Sequence, residues 1–324
     1  MTNKDITKIY FRGNEIVALY QGSTLIFKKS GGGSTTEPTG VYTVRGTVNP
    51  FSGEQSIQLC VNGKQEQFNV NSDNTFEHTF VNVPITNMDY FTQPCRDKLK
   101  TIDLSNFDTS QVTSMYKAFY QCDKLEEINL TNVDTGNVTN MIGMFSYCRN
   151  LTSLDVRNFD TSKVTDMESM FSYCRNLTSL DVSNFDTSNV TSMGHMFNGC
   201  ENLKSLDLSN FDTSKVTRLQ YMFYDNEKLT DLYINFDVRS GTYFKTTFAL
   251  CFSLTNVIGK FEGTKYNLWL ENAPLTAASA MVFINGLATV TEQRTLSLSA
   301  TTYDSLTTEQ IAIATSKGWT VTRN

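Results

Sequence analysis

An α/β repeat architecture, a solenoid of the leucine-rich-repeat type, is predicted for this chain by three observations. Leu99, Leu125, Leu151, Leu177, Leu203 and Leu229 recur every 26 residues, and Leu254 follows 25 later. Around each runs the pattern LxxL(D/N)LxNFDTSxVTxMxxMFxxCxN, fullest over residues 177–202. Phe119, Phe145, Phe171, Phe197 and Phe223 keep the same step, as do Cys122, Cys148, Cys174 and Cys200. One unit has too little core to fold alone, whereas stacking buries each apolar stripe against its neighbours.

Within a unit, Leu177, Leu180 and Val182 place apolar side chains at the first, fourth and sixth positions of an inward-facing strand. Val190, Met193, Phe197 and Cys200, spaced three, four and three, mark the apolar face of a short helix. Asp186, Thr187 and Ser188 precede it, where short oxygens can cap exposed helix N–H groups. The expectation is therefore 26-residue units of parallel strand plus short helix over residues 85–262. They open on a half-unit marked by Ile85, Met88, Phe91 and Cys95.

The flanks divide by composition. Residues 1–29 read as three short strands turning at Gly13-Asn14 and Gln21-Gly22, a small β unit for docking or oligomerisation. Residues 30–39 (SGGGSTTEPT) form a flexible linker. Residues 40–84 read as a small antiparallel β domain with a hairpin at Asn62-Gly63. Residues 263–324 alternate strands with helices near 277–287 and 308–317, an α/β cap for the last open core. The second helix carries a capping-box pair, Thr307 with Gln310, and stops at Gly318.

The DTSxVTxMxxMFxxCxxL string resembles the BspA-like class of leucine-rich repeats. That class occurs in surface proteins of gut and oral bacteria, mycoplasmas and some protists, and in phage or prophage proteins of gut bacteria. The resemblance spans about residues 85–262. It implies adhesion or recognition and names no particular ligand. The stretch KIYFRGNEIVALYQGSTLIF is similar to N-terminal pieces of virion-associated proteins from gut phages. The ending LTTEQIAIATSKGWTV resembles a tail that follows such repeats in phage and prophage proteins. These resemblances imply a virion protein, tail-associated or fibre, that engages a bacterial surface glycan or protein. Residues 1–29 would attach to other virion proteins, and the chain is expected to self-associate. A bacterial cell-surface adhesin is the alternative.

Composition bears on the remaining classes. A net charge of −6 argues against nucleic acid, which is bound through clustered Lys and Arg. No apolar run approaches the roughly 18 residues of a membrane span. If Met1 is the natural start, no secretory signal precedes the first strands. The seven cysteines show no CxxC pair, and His78 and His195 share no motif, so neither metal nor other cofactor is expected. Cysteines recurring at the repeat period read as one buried slot filled again and again.

No GxSxG, P-loop or GxGxxG string is present, and catalysis is not expected. Two carboxylate ladders stand out. Asp108, Asp134, Asp160, Asp186 and Asp212 sit where helix capping accounts for them. The second ladder, with Asp155, Asp181 and Asp207, would face solvent from the strands, where either screening by water or a bound cation or basic ligand offsets repulsion. Ladders made by repetition supply no distinct acid and base for glycoside chemistry. Tyr116, Tyr147 and Tyr173, with Arg149 and Arg175, gather near the other edge. Tyr and Arg are enriched where binding energy concentrates, and the alternative is that the rings pack between coils. The candidate binding residues are these five together with Asp155, Asp181 and Asp207.

Overall fold

The computed structural model describes residues 8–12, 15–21, 24–28, 41–49, 56–81, 84–239, 243–244 and 246–324. It divides into two compact units, Met1–Tyr42 with Thr79–Val83, and Thr43–His78 with Pro84–Asn324. The first unit holds an antiparallel sheet of β1 (Lys8–Arg12), β2 (Glu15–Gln21) and β3 (Thr24–Lys28) in that order. The turn residues Gly13, Asn14 and Gly22 and the 30–39 segment lie outside the described residues.

The strand β4 (Val41–Val48) pairs antiparallel with β8 (Leu99–Asn106), in a sheet ordered β7 (Thr75–Val81), β4, β8, β9 (Glu127–Asn129). The hairpin of β5 (Ser56–Val61) and β6 (Lys64–Asn69) turns at Asn62 and Gly63, with φ of 51° and 73°. Two successive positive φ values are what a two-residue hairpin turn requires.

The repeats correct the expected fold class. No repeat contains the predicted helix among its described residues. Among the described residues the α-helices are α1 (Ala277–Gly286), α2 (Ala300–Asp304) and α3 (Thr308–Ser316), all beyond the repeats. The hydrogen bonds give the reason. In the third unit Met167, Ser169, Phe171 and Tyr173 send their N–H groups to Ser192, Gly194, Met196 and Asn198 carbonyls of the next coil, at 2.6–3.0 Å. The N–H groups between them, on Met170, Ser172 and Cys174, close tight turns onto Met167, Ser169 and Phe171. An α-helix needs every N–H for the carbonyl four residues back, so half of these donors are already committed elsewhere. The ribbon of turns holds Ser169 and Tyr173 at φ of 60° and 57°. That conformation costs non-glycine residues about 1–2 kcal/mol each, and the bonds between coils offset it. A 3-4-3 spacing of apolar residues fits consecutive turns as well as a helix, which is why the periodicity misled.

The expected continuous parallel sheet is also absent. Parallel strands form at β8–β9 and again at β10 (Ser205–Leu208), β11 (Asp231–Asp237) and β12 (Asn256–Glu262). Residues 151–156 and 177–182 form none. The coils are joined instead by isolated parallel bridges, Asn87–Ser114–Asn140–Asp166–Ser192–Arg218–Tyr243. Side chains add further links, such as Asn184 Nδ2 donating to the Val156 and Phe159 carbonyls. The chain is thus mostly β, in several small sheets with few helices, and does not close into a leucine-rich-repeat solenoid.

The core lies between stacked coils. Phe119, Phe145, Phe171 and Phe197 are fully buried, with successive centroids 5.4, 5.9 and 5.7 Å apart and rings within 10° of parallel. Each buried Phe contributes about 1.5–3 kcal/mol by leaving water. The cysteine slot beside them is also buried. Cys148, Cys174 and Cys200 donate S–H to the Phe119, Phe145 and Phe171 carbonyls at 3.1–3.2 Å. All seven thiols are free. Beyond the repeats, β13 (Leu268–Leu270), β14 (Arg294–Leu298) and β15 (Trp319–Arg323) form a parallel sheet. Thr276 caps α1, and the Thr307–Gln310 capping box opens α3.

Candidate functional site

On the turn that follows each VT pair, the repeat pattern fixes some positions and leaves others free. Along the turn ribbon the first, fourth, fifth and eighth positions point into the core, as Met167, Met170, Phe171 and Cys174 do. The four positions between them vary from unit to unit. In the first unit they are Tyr116, Lys117, Tyr120 and Gln121, and in the fifth Gln220, Tyr221, Tyr224 and Asp225. The middle units carry small residues there: Gly143 and Ser146, Ser169 and Ser172, then Gly194 and Gly199. Small side chains between bulky ends leave a depression of about 440 Å3, spanning the first four units. That volume falls within the range of about 300–1,000 Å3 usual for ligand sites.

Aromatic rings line its first-unit end and its floor. Tyr116 meets Tyr90 edge-on at 5.2 Å, and Lys117 Nζ stands 4.7 Å from the Tyr120 centroid and 5.1 Å from that of Tyr116. Hydrogen bonds from Tyr90 and then Lys117 lower the Tyr116 pKa. Burial acts to lower the Lys117 pKa, but the Tyr116 oxygen and the neighbouring phenols outweigh it and the net shift is upward. Tyr147 stacks on Tyr173 at 4.6 Å, so these rings do pack from coil to coil. Arg149 sits 5.0 Å from the Tyr147 centroid and Arg175 5.7 Å from that of Tyr173. Burial raises the Tyr173 pKa. Gly199 takes the next place in this row, and a Cβ there would meet the Tyr173 ring at 2.7 Å.

The far side is polar. His195 stacks on Tyr221 at 4.7 Å, and burial lowers its pKa against an opposing pull from Glu168. Its Nδ1 lies 3.0 Å from Asn198 Nδ2, not from a hydroxyl or thiol that it might activate. Asn198 is only 5% exposed, and its Oδ1 has no hydrogen-bond partner. Glu168 accepts from Ser192 Oγ at 3.1 Å, with Arg218 at 3.8 Å.

The eight residues proposed from sequence therefore separate. Tyr116, Tyr147 and Tyr173 line the depression, whereas Arg149 and Arg175 brace it from outside, paired to Asp123 and Glu201 at 3.1 and 2.9 Å. Asp155, Asp181 and Asp207 do not line it and stand exposed on the strand positions. Each accepts a backbone N–H two residues on, from Arg157, Ser183 and Ser209. The Arg157 side chain holds the Asp155 carboxyl down to about 2, and Ser183 lowers that of Asp181. The other ladder behaves alike. Asp160 and Asp186 accept from Ser162 and Ser188 N–H in tight turns and not at helix caps, and the side chain and N–H of Ser162, and the N–H and side chain of Ser188, lower the two pKa values. Sequence reasoning missed Lys117, Glu168, His195 and Asn198. The signal that could have found them is the run of Gly and Ser at the variable positions.

Burial pushes the Cys200 and Cys251 thiols up to about 12, and those of Cys148 and Cys174 well above the ordinary value, which suits packing and not nucleophilic attack. Among the described residues no three His, Cys, Asp or Glu side chains converge as a metal site, and no helix is long and apolar enough to cross a membrane.

The repeats match a known family. Its sequence model, described as Mycoplasma protein of unknown function, DUF285, fits residues 86–181 and again 176–269, together more than half of the chain. No curated protein matches the chain.

Proposed function

This chain belongs to the DUF285 family, and from that premise we propose that it is a non-catalytic recognition protein whose repeats present the variable edge to a receptor on a bacterial surface. One observation carries the reading: residues that build the core repeat almost unchanged, while the turn-ribbon positions between them vary along the repeats and enclose a depression. A fixed scaffold with diversified surface positions suits binding. The likeness of the repeat string to BspA-like surface proteins supports the same role. The test is binding of the full chain to gut bacterial cells. Wild type binds saturably, and Tyr147→Ala with Tyr173→Ala weakens binding in a folded protein. Unchanged binding by the double variant removes this edge from the reading.

The finer proposal is a virion component, tail-associated or fibre, held to the particle by residues 1–29. It is supported by the likeness of both flanks to phage proteins and by the compactness of the first unit. Peptides of this chain at stoichiometric levels in purified phage particles are the expected result. A second reading, a protein of the bacterial cell surface, is supported by the likeness of the repeat string to BspA-like surface proteins. Its signature is recovery of the chain from bacterial surface fractions and never from particles.

A further inference from the structure

We infer that the depression is a site for a neutral sugar, an inference that rests on the recognition reading above and gives that edge a ligand class. The charged residues lining it are Lys117 and Glu168, of opposite sign, and each is already engaged, Lys117 by tyrosines and Glu168 by Ser192 and Arg218. Burial lowers the His195 pKa and favours the uncharged ring. A phosphate, a carboxylate or an ammonium ligand would find no free counter-charge. An apolar peptide or acyl chain fits no better, because Ile142 is the one aliphatic side chain in the lining.

What the site does offer is aromatic surface on Tyr116, Tyr120, Tyr147 and Tyr173, small hydroxyls on Ser146, Ser169 and Ser172, and an amide left half-satisfied. The Asn198 Nδ2 bonds His195, while its Oδ1 is buried without a partner. An unmade bond of that kind is costly, and a ligand hydroxyl can donate to that oxygen. Sugars combine such hydroxyls with C–H faces that lie on aromatic rings. The repeat itself shows that this space is left open and not forced: Tyr221 occupies, at φ of 57°, the position that Ser169 holds at 60°.

The test is saturation-transfer NMR on the full chain with cellobiose, N,N′-diacetylchitobiose and mannobiose, and with inorganic phosphate as the charged control. At least one disaccharide is expected to bind and phosphate is not. Ser169→Tyr, which fills the depression with a residue the repeat already tolerates, is expected to weaken that binding at least tenfold. Asn198→Leu is expected to do the same while leaving the melting temperature unchanged or higher, whereas a merely structural asparagine would lower it. Binding of phosphate in preference, sugar binding indifferent to both variants, or no sugar binding by a chain that still binds bacterial cells overturns the sugar site. The last result leaves the recognition reading standing. Loss of cell binding as well removes both.

Discussion

Replacing Thr187 by Val removes one buried hydroxyl and almost nothing else. Thr187 is 1% exposed. Its Oγ1 donates to the Asp212 carbonyl of the next coil at 3.0 Å and accepts the Asp212 N–H at 2.8 Å. Both Asp212 backbone groups lose their partner and are left facing a methyl, at about 1–3 kcal/mol for each. The expected loss is about 2–6 kcal/mol, with partial hydration of Asp212 setting the lower end. Thr187→Ser keeps both bonds and gives up one methyl, about 1 kcal/mol. Urea unfolding followed by circular dichroism measures both variants. Asp186→Ala, next door, removes only an exposed turn bond to Ser188 and should cost about 1 kcal/mol or less. If Val proves no worse than Ser, or if the Asp186 variant is the more damaging, the threonine staple is not what joins the coils.

Other perturbations probe separate features. The Cys200 and Cys251 pKa values stand at about 12 against an ordinary 9.0. The unfolded chain therefore releases these protons first. Their contribution to stability is intact below pH 9 and falls between pH 9 and 12, a loss that Cys200→Ala with Cys251→Ala should reduce in alkaline unfolding curves. Arg157→Ala should raise the Asp155 carboxyl from about 2 part of the way to the usual range in an NMR titration, because the guanidinium is the main cause of its depression and the residue-157 N–H bond remains. A Cβ at Gly286 would run into the Phe261 carbonyl, forcing α1 away from β12. Gly286→Ala is expected to cost about 3 kcal/mol or more, and a melting temperature within a degree or two of wild type would contradict that packing.

How much of this was legible in the sequence depends on what each residue pattern encodes. The 26-residue period places Leu, Met, Phe and Cys in the core and stacks the coils, because burial follows directly from apolar spacing. The cap of α3 was readable for the same local reason, Thr307 satisfying an N–H group within one turn, whereas that of α1 at Thr276 was not read. The helix expected in each repeat was not. Val190, Met193, Phe197 and Cys200 point inward as a helical face would, yet the fate of the backbone N–H groups is decided by the neighbouring coil, which no spacing within one unit reveals. The continuous sheet failed likewise, since Asn184 and Thr187 link coils through side chains where strand ladders were expected. At the site, the tyrosines were conspicuous by size. The depression was not, because it is made by what Gly143, Ser146, Ser169 and Ser172 lack.

Binding of the fluorescently labelled full chain to gut bacterial cells, compared between wild type, Ser169→Tyr and a variant with Asp155, Asp181 and Asp207 all changed to Ala, separates the turn-ribbon edge from the strand face. Saturable binding by wild type and by the aspartate variant, lost in Ser169→Tyr at unchanged stability, is the predicted result. Binding that survives Ser169→Tyr and disappears with the aspartates would put recognition on the strand face and contradict the site described above.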